Sequence, residues 1–293
     1  MKRVLATEAG RRQPCKVLAR LAGWQLWRRS LRRPMAFETV TGAKLRLLPG
    51  ASEALSGFWY HQLPEFNELV FALHLLRRDD LFVDIGANQG GWSLLAAGHG
   101  ARVFAFEPVP LSCDRLRANL DANSAAISRR IQVFPVGLGA QSGQVRFTSS
   151  LDSTNHRIAD WDEPGSDAIV VQMVRADDVL RDEAPVLIRL DVEGDERAVL
   201  EGARATLAKP SLCAVVMETF RHANFSRPPL MAAEAILREY EFLPVAYDPW
   251  KRELWPLLRP SDGSQNTIYV REPVGVRAWL RASAPVSALG RRI

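Results

Sequence analysis

The sequence predicts an α/β fold, a doubly wound and mostly parallel sheet with helices on both faces, and three observations carry that prediction. Short apolar runs alternate with helix-period segments from residue 81 onward, as expected of strands buried between helical layers. A glycine-rich turn at residues 86–91 follows the first run and leads into a helix. A carboxylate, Glu107, closes the second run. With 293 residues, 47% of them hydrophobic, the chain has enough apolar material for one large core.

Residues 14–33 set Val17, Leu18, Leu21, Trp24, Leu26 and Trp27 among arginines at loosely helical spacing. Pro34 ends that segment, having no N–H to continue a helix. The pattern fits an arm, a membrane-surface helix or a packing helix. Lys44 to Leu48 reads as a short strand and Pro64 to Arg78 as a helix. The regular pattern then gives a strand at Leu81 to Ile85, a helix at Trp92 to Gly98, a strand at Arg102 to Phe106 and a helix at Leu111 to Asn123. Ile131 to Val136 is a third strand. An insert from Gly139 to Asp178 contains two strands, Gln144 to Thr148 and Ala168 to Val174, flanking a polar loop. Alternation resumes with a strand at Val186 to Leu190, a helix near Glu196 to Leu207, a strand at Cys213 to Met217 and a helix at Leu230 to Tyr240. Asn266 to Arg271 is the last strand, near the sheet edge. The expected division is a basic N-terminal extension at residues 1–63 and a single α/β domain at 64–293.

The net charge of +5 belongs to one end of the chain. Residues 1–34 carry ten basic side chains against Glu8 alone, a local charge of +9 that leaves −4 for the remainder. Such a segment suits an anionic membrane surface or an acidic partner as well as an ordinary solvated helix. Three cysteines, Cys15, Cys113 and Cys213, show no metal or redox spacing, and their odd count and scatter fit a reducing compartment. The apolar stretch from Val17 to Trp27 is interrupted by Arg20, is too short to span a bilayer, and lacks a signal-peptide cleavage site. A cytoplasmic protein is expected.

In a sheet of this kind the ligand lies beyond the carboxyl ends of the strands, where strand order reverses. The first strand ends there in Asp84-Ile85-Gly86-Ala87-Asn88-Gln89-Gly90-Gly91. Gly86 and Gly90 allow a sharp turn and close approach of a ligand, while Asp84 and Asn88 offer polar groups for an amine and a carboxylate. Glu107 lies 21 residues past Gly86, where an acidic residue accepts hydrogen bonds from both ribose hydroxyls. Strand, turn, helix, strand and acid in this order indicate nucleoside binding. The position two after Gly86 is Asn88, so the turn does not follow the G-x-G-x-x-G pattern that approaches a pyrophosphate. S-adenosylmethionine has no pyrophosphate, and its amino-acid end suits an Asp and Asn turn.

The stretches FVDIGANQGGWSLLAA, VFAFEPVPLSCDRLRANLDAN, VLIRLDVEGDERAVLEGA, VVMETF and SQNTIYV together resemble the FkbM family of class I S-adenosylmethionine-dependent methyltransferases, and they order the chain from about Leu81 to Val270. The resemblance implies a seven-stranded sheet whose last strand is antiparallel, and methyl transfer to oxygen on a sugar, glycolipid or natural-product acceptor. It assigns Asp84, Gly86, Ala87, Asn88 and Gly90 to the cofactor turn, with Glu107 and Pro108 on the ribose side. It also brings Asp191, Glu193 and Gly194 into a D-x-E-G turn after the fourth strand and Glu218 to the end of the fifth. This chain departs from the family in carrying Arg189 where Lys is usual, and in placing His222 four residues after Glu218.

Transfer to a hydroxyl requires a base or an oxyanion stabiliser as well as orientation. Asp191, Glu193, Glu218 and His222 are the candidate catalytic groups, and Asp191 with Glu193 also offers hard oxygen ligands for Mg²⁺. The plain alternative is that Glu193 and Glu196 polarise the start of a helix. His156, in the insert, is a candidate contact to cofactor or acceptor, whereas His61, His74 and His99 fall in or near predicted helices and read as structural. Competing functions are a nicotinamide-dependent oxidoreductase or epimerase, and a non-catalytic nucleoside-binding module. No nucleic-acid partner is expected, because D-V-E-G stands where an N-P-P-Y-like motif would serve exocyclic nitrogens.

Overall fold

Leu81 to Ile85 is buried at all five positions, because a strand covered by helices on both faces has no solvent side to keep polar. The computed structural model describes residues 2–30, 33–48, 55–148, 168–219, 227–258 and 265–293.

In chain order the helices α1 (Lys2–Ala6), α2 (Glu8–Arg12) and α3 (Pro14–Ser30) come first, then the hairpin of β1 (Met35–Glu38) and β2 (Lys44–Leu47), then α4 (Ser56–His61) and α5 (Phe66–Leu75). The alternating part begins with β3 (Leu81–Ile85), α6 (Gly91–His99), β4 (Arg102–Phe106), α7 (Pro110–Asp121), α8 (Ala125–Ser128) and β5 (Ile131–Phe134). The insert supplies β6 (Gly137–Leu138), β7 (Gly143–Thr148), β8 (Ala168–Val174) and α9 (Ala176–Val179). There follow β9 (Pro185–Leu190), α10 (Glu196–Glu201), α11 (Arg204–Leu207), β10 (Ala214–Glu218), α12 (Arg227–Glu239), β11 (Leu243–Asp248), β12 (Glu253–Pro256) and β13 (Asn266–Val270). The chain finishes with α13 (Pro273–Ala282), β14 (Ser287–Ala288) and β15 (Arg291–Arg292).

The main sheet has the order β12-β11-β13-β10-β9-β3-β4-β5. Strands β5, β4, β3, β9 and β10 are parallel, and β13 runs antiparallel between β10 and β11. Seven is the number of strands the resemblance implies, although the sequence reading places no strand at β11. An eighth, β12, adds to the edge as an antiparallel partner of β11. Neither β11 nor β12 stands out in the sequence, because Pro244 and Pro256 interrupt the strand signal. Both prolines are accommodated near the edge, where the Pro244 carbonyl accepts from Leu257 N at 2.9 Å.

Chain connections leave β3 toward β4 on one side, and the later strands build out from β9 on the other, so the sheet reverses order between β3 and β9. The carboxyl ends Ile85, Phe106, Leu190 and Glu218 therefore open onto one crevice. The predicted helix near Glu196 to Leu207 is broken into α10 and α11 at Gly202, where a Cβ would lie 2.0 Å from the Gly139 carbonyl oxygen. The insert is a separate three-stranded sheet of order β6-β8-β7 beside the crevice.

The N-terminal helices share the main core. Val17 and Trp24 of α3 are buried in the same apolar cluster as Leu69, Phe71 and Leu94. Trp24 stacks on Trp27 with ring centroids 5.0 Å apart, and Trp59 Nε1 donates to the Arg20 carbonyl at 3.1 Å. The Arg12 guanidinium lies 3.8 Å over the Trp250 ring, whose Nε1 donates to Glu8 at 3.0 Å. Val17 and Trp24 of α3 are thus spent on packing, while Leu26, Arg28 and Arg29 lie outside. No helix among the described residues is long and apolar enough to cross a membrane. Trp24→Ala is expected to destabilise the whole chain by about 3 kcal/mol, read as a lower denaturant midpoint with one cooperative transition. An unchanged midpoint would separate α3 from the core.

Candidate functional site

The turn after β3 is shaped by contacts that leave no room for side chains. Gly86 has φ 81°, and a Cβ there would sit 1.8 Å from the Asp191 carbonyl oxygen. Gly86 N and Ala87 N both donate to the Phe106 carbonyl at 3.0 Å, which stitches the turn to the end of β4. Asn88 takes a left-handed φ of 50°, which Asn tolerates better than most residues. Its backbone N–H donates to Glu107 Oε2 at 2.8 Å, while Val109 N donates to Oε1 at 2.9 Å. Each Glu107 oxygen keeps a lone pair for a ligand. Burial pushes the Glu107 carboxyl up to about 7, against the pull of those two N–H groups.

Glu107 lines a cavity of about 850 Å³ at the carboxyl ends of the strands, together with Gly86, Ala87, Asn88 and Pro108. Asp191, Glu193 and Glu218 line the same space, so the crevice unites the two groups of residues singled out in the sequence. Two others stand behind its wall. Asp84 is fully buried and accepts from Ser93 Oγ at 2.6 Å and from Arg189 Nη1 at 3.1 Å. Gly90 starts α6 with φ 84°, and a Cβ there would meet Leu116 Cδ1 at 2.2 Å. His222 and His156 lie outside the described residues.

Arg189 connects the glycine turn after β3 to the acidic loop after β9. Its Nη1 also donates to the Gly86 carbonyl at 3.2 Å, and its Nη2 donates to Asp191. Burial opposes the charge, but Asp191, Asp84 and Glu65 outweigh it and keep the guanidinium ionised. Beside it, Asp191, Glu193 and Glu218 each present an oxygen within 4.8 Å of the others. Burial, then Asp191 and Glu193, raise Glu218 well above the carboxylate range, so Glu218 holds a proton and hydrogen-bonds Asp191. Burial, Asp191 and Glu196 push Glu193 up to about 7. Such a trio offers either proton sharing or hard-cation ligation.

Several lining residues escape a motif-based reading. Glu65 precedes α5 and receives the Trp92 indole N–H at 2.9 Å; burial pushes it up to about 7. Val4 and Thr7 from the N-terminal helices and Tyr60 and His61 from α4 form another part of the wall. His61, expected to be structural, therefore faces the site. No spacing rule links these residues to the turn, since only the tertiary packing of residues before 66 brings them there. Among the described lining residues, Glu65, Glu107, Asp191, Glu193, Asp195 and Glu218 surround the single cation Arg189. Even with Glu218 protonated they leave an acidic surplus once the pH passes about 7, a balance that suits a positively charged ligand.

The family model for the methyltransferase FkbM domain matches residues 84–244. Hexuronic acid methyltransferase AglP of Haloferax volcanii is 31% identical over 212 residues, covering 69% of this chain and 82% of the relative. Methyltransferase sdnD of Sordaria araneosa is 26% identical over 171 residues, covering 47% of this chain and 65% of the relative. Among solved structures, methyltransferase FkbM from Methylobacillus flagellatus KT aligns at a TM-score of 0.47 with 19% identity, over 74% of this chain and 52% of its own, so this chain spans about half of that one.

Ionising Glu193 costs more in the folded chain than in the unfolded chain, because its carboxyl is raised from 4.5 to about 7. Its contribution to stability is complete below 4.5 and is lost as pH rises through about 7. Glu193→Gln should therefore raise the melting temperature at pH 8 relative to the parent and leave it unchanged at pH 4, by differential scanning calorimetry. Equal shifts at both pH values would show that Glu193 is not perturbed.

Proposed function

The chain belongs to the FkbM methyltransferase domain family, and from that premise we propose that it uses S-adenosylmethionine to methylate a hydroxyl oxygen of a sugar, glycolipid or natural-product acceptor. The observation that carries this reading is the pairing, across one cavity, of a Glu107 carboxylate clamped to the Gly86–Asn88 turn with an acidic trio at Asp191, Glu193 and Glu218. Glu107 suits a ribose diol, having one free lone pair on each oxygen. The acidic surplus of the cavity suits a sulfonium cation. When bound, S-adenosylmethionine supplies an electrophilic methyl group.

The chain's own residues then have separate tasks. Arg189 fixes Asp191 through its Nη2, and protonated Glu218 holds the same carboxylate from the other side. Asp191 is therefore an orienting group with its charge already engaged. Glu193, pushed up to about 7, is the better proton acceptor for a hydroxyl near neutral pH, because a base works best when its pKa is close to the ambient pH. The proton leaving the acceptor hydroxyl ends on the Glu193 carboxylate. The Haloferax relative is named for a hexuronic acid, which supports a carbohydrate acceptor here.

A second arrangement is favoured by the closeness of the trio, whose three oxygens would ligate Mg²⁺ in place of the shared proton. Turnover that survives excess EDTA assigns the trio to proton handling, and turnover lost to EDTA and restored by Mg²⁺ assigns it to the metal. Glu107→Ala should weaken S-adenosylmethionine by roughly 100-fold in titration calorimetry, from two lost charge-assisted hydrogen bonds, with the fold intact. Unchanged affinity would remove the ribose assignment. Asp191→Asn should lower kcat by about 100-fold or more while cofactor still binds, and near-normal turnover would refute its orienting role.

A further inference from the structure

The acceptor's place in the cavity is marked by a hydrogen-bonding chain in the N-terminal wall, outside residues 84–244 where the family match lies. Thr7 has one hydroxyl proton and three neighbours. Its Oγ1 accepts from Gly10 N at 3.1 Å, stands 2.8 Å from the Val4 carbonyl and lies 3.1 Å from His61 Nδ1. The Val4 carbonyl, in α1, can only accept. It takes the hydroxyl proton over the shorter of the two distances. The remaining contact is then satisfied only if His61 Nδ1 carries a hydrogen and donates it to Thr7 Oγ1.

That assignment leaves Nε2 of His61 without a proton. Nε2 has no partner among the described residues, although His61 is 7% exposed and lines the cavity. An unpartnered lone pair on a cavity-lining residue is complementary to a ligand donor. Burial also holds the imidazole down to about 4, so the ring is neutral at ordinary pH and cannot offer a second N–H there. The tight seating of Gly10, where a Cβ would meet the Val4 carbonyl oxygen at 2.4 Å, fixes α1 against α2 and so fixes Thr7.

We propose that His61 is locked as the Nδ1–H tautomer by Thr7 and that its Nε2 accepts the hydrogen bond of a hydroxyl on the acceptor molecule. The role is to position the acceptor. With so low a basicity the ring is a poor proton sink, and that task stays with the acidic trio. This inference rests on the hydroxyl-methylation reading above.

The test is ¹⁵N spectroscopy of the full-length protein, with the His61 ring nitrogens assigned by difference from the H61N protein. Methyl glycosides of glucose, galactose and glucuronic acid are added in the presence of S-adenosylhomocysteine. The expected result is a protonated Nδ1, an unprotonated Nε2, and a shift of the Nε2 resonance toward hydrogen-bonded values with at least one glycoside. H61N keeps a donor for Thr7 but has no acceptor at the Nε2 position, and should weaken that glycoside by roughly tenfold while leaving S-adenosylhomocysteine affinity unchanged. H61Q, which can place an amide oxygen near the Nε2 position, should recover most of the loss. A proton on Nε2, an Nε2 resonance unmoved by every glycoside, or unaltered glycoside affinity in H61N overturns the proposal. If Nε2 responds to a glycoside but the wild type methylates none of the three, the methyl-transfer reading fails and the hydroxyl site stands. If methylation proceeds with Nε2 unmoved, the reverse holds.

Discussion

The buried ion pair between Arg189 and Asp84 is the constraint on which the site depends. The two residues are direct register partners on the adjacent parallel strands β9 and β3, at the point where the sheet reverses order. Removing either one would strand a charge in the interior, a loss of about 3–5 kcal/mol in comparable cases. The guanidinium fork reaches Asp84, the Gly86 carbonyl and Asp191 together. A lysine ammonium, usual at this position in the family, is a point charge on a flexible stem and lacks the planar geometry for that three-way grip. The glycine turn and the acidic loop are thereby held in register as one unit, with the Trp92 ring 5.3 Å from the cation.

Charge balance in the crevice follows from that pair. Arg189 is consumed by Asp84 and Asp191, so the other lining carboxyls must manage their own burial. They do so by different means: Glu107 takes two backbone N–H donors, Glu65 takes an indole N–H, and Glu218 keeps its proton. A cationic ligand matches such a pocket better than a neutral one of the same shape.

Local chemistry made the central fold and the glycine turn after β3 legible in the sequence. The apolar runs of β3, β4, β9 and β10 must be continuous because helices cover both faces, and the glycine turn and Glu107 sit at strand ends where the ligand crevice has to form. What was not legible depends on long-range packing. Pro244 and Pro256 hide β11 and β12; β12 is the edge strand, which tolerates a missing N–H group, and β11 is the strand next to it. Asp84 looks like a ligand contact in sequence, yet its strand position faces Arg189 and Ser93. Glu65 and His61 belong to no motif and reach the crevice only because the helices before β3 fold over it.

That covering has a consequence for how such a protein is divided. Trp250, at the β11 to β12 turn, is gripped by Glu8 and Arg12 of α2, and the same stretch of chain presents Val4 and Thr7 to the crevice. A fragment cut at the borders of the family match would lack α5 and the helices before it, and the apolar core residues they cover would be left open. Conversely, exchange of the first 65 residues between relatives would swap the outer wall of the pocket while the glycine turn and the acidic loop stayed in place, so that the shape of the crevice would change without touching its floor.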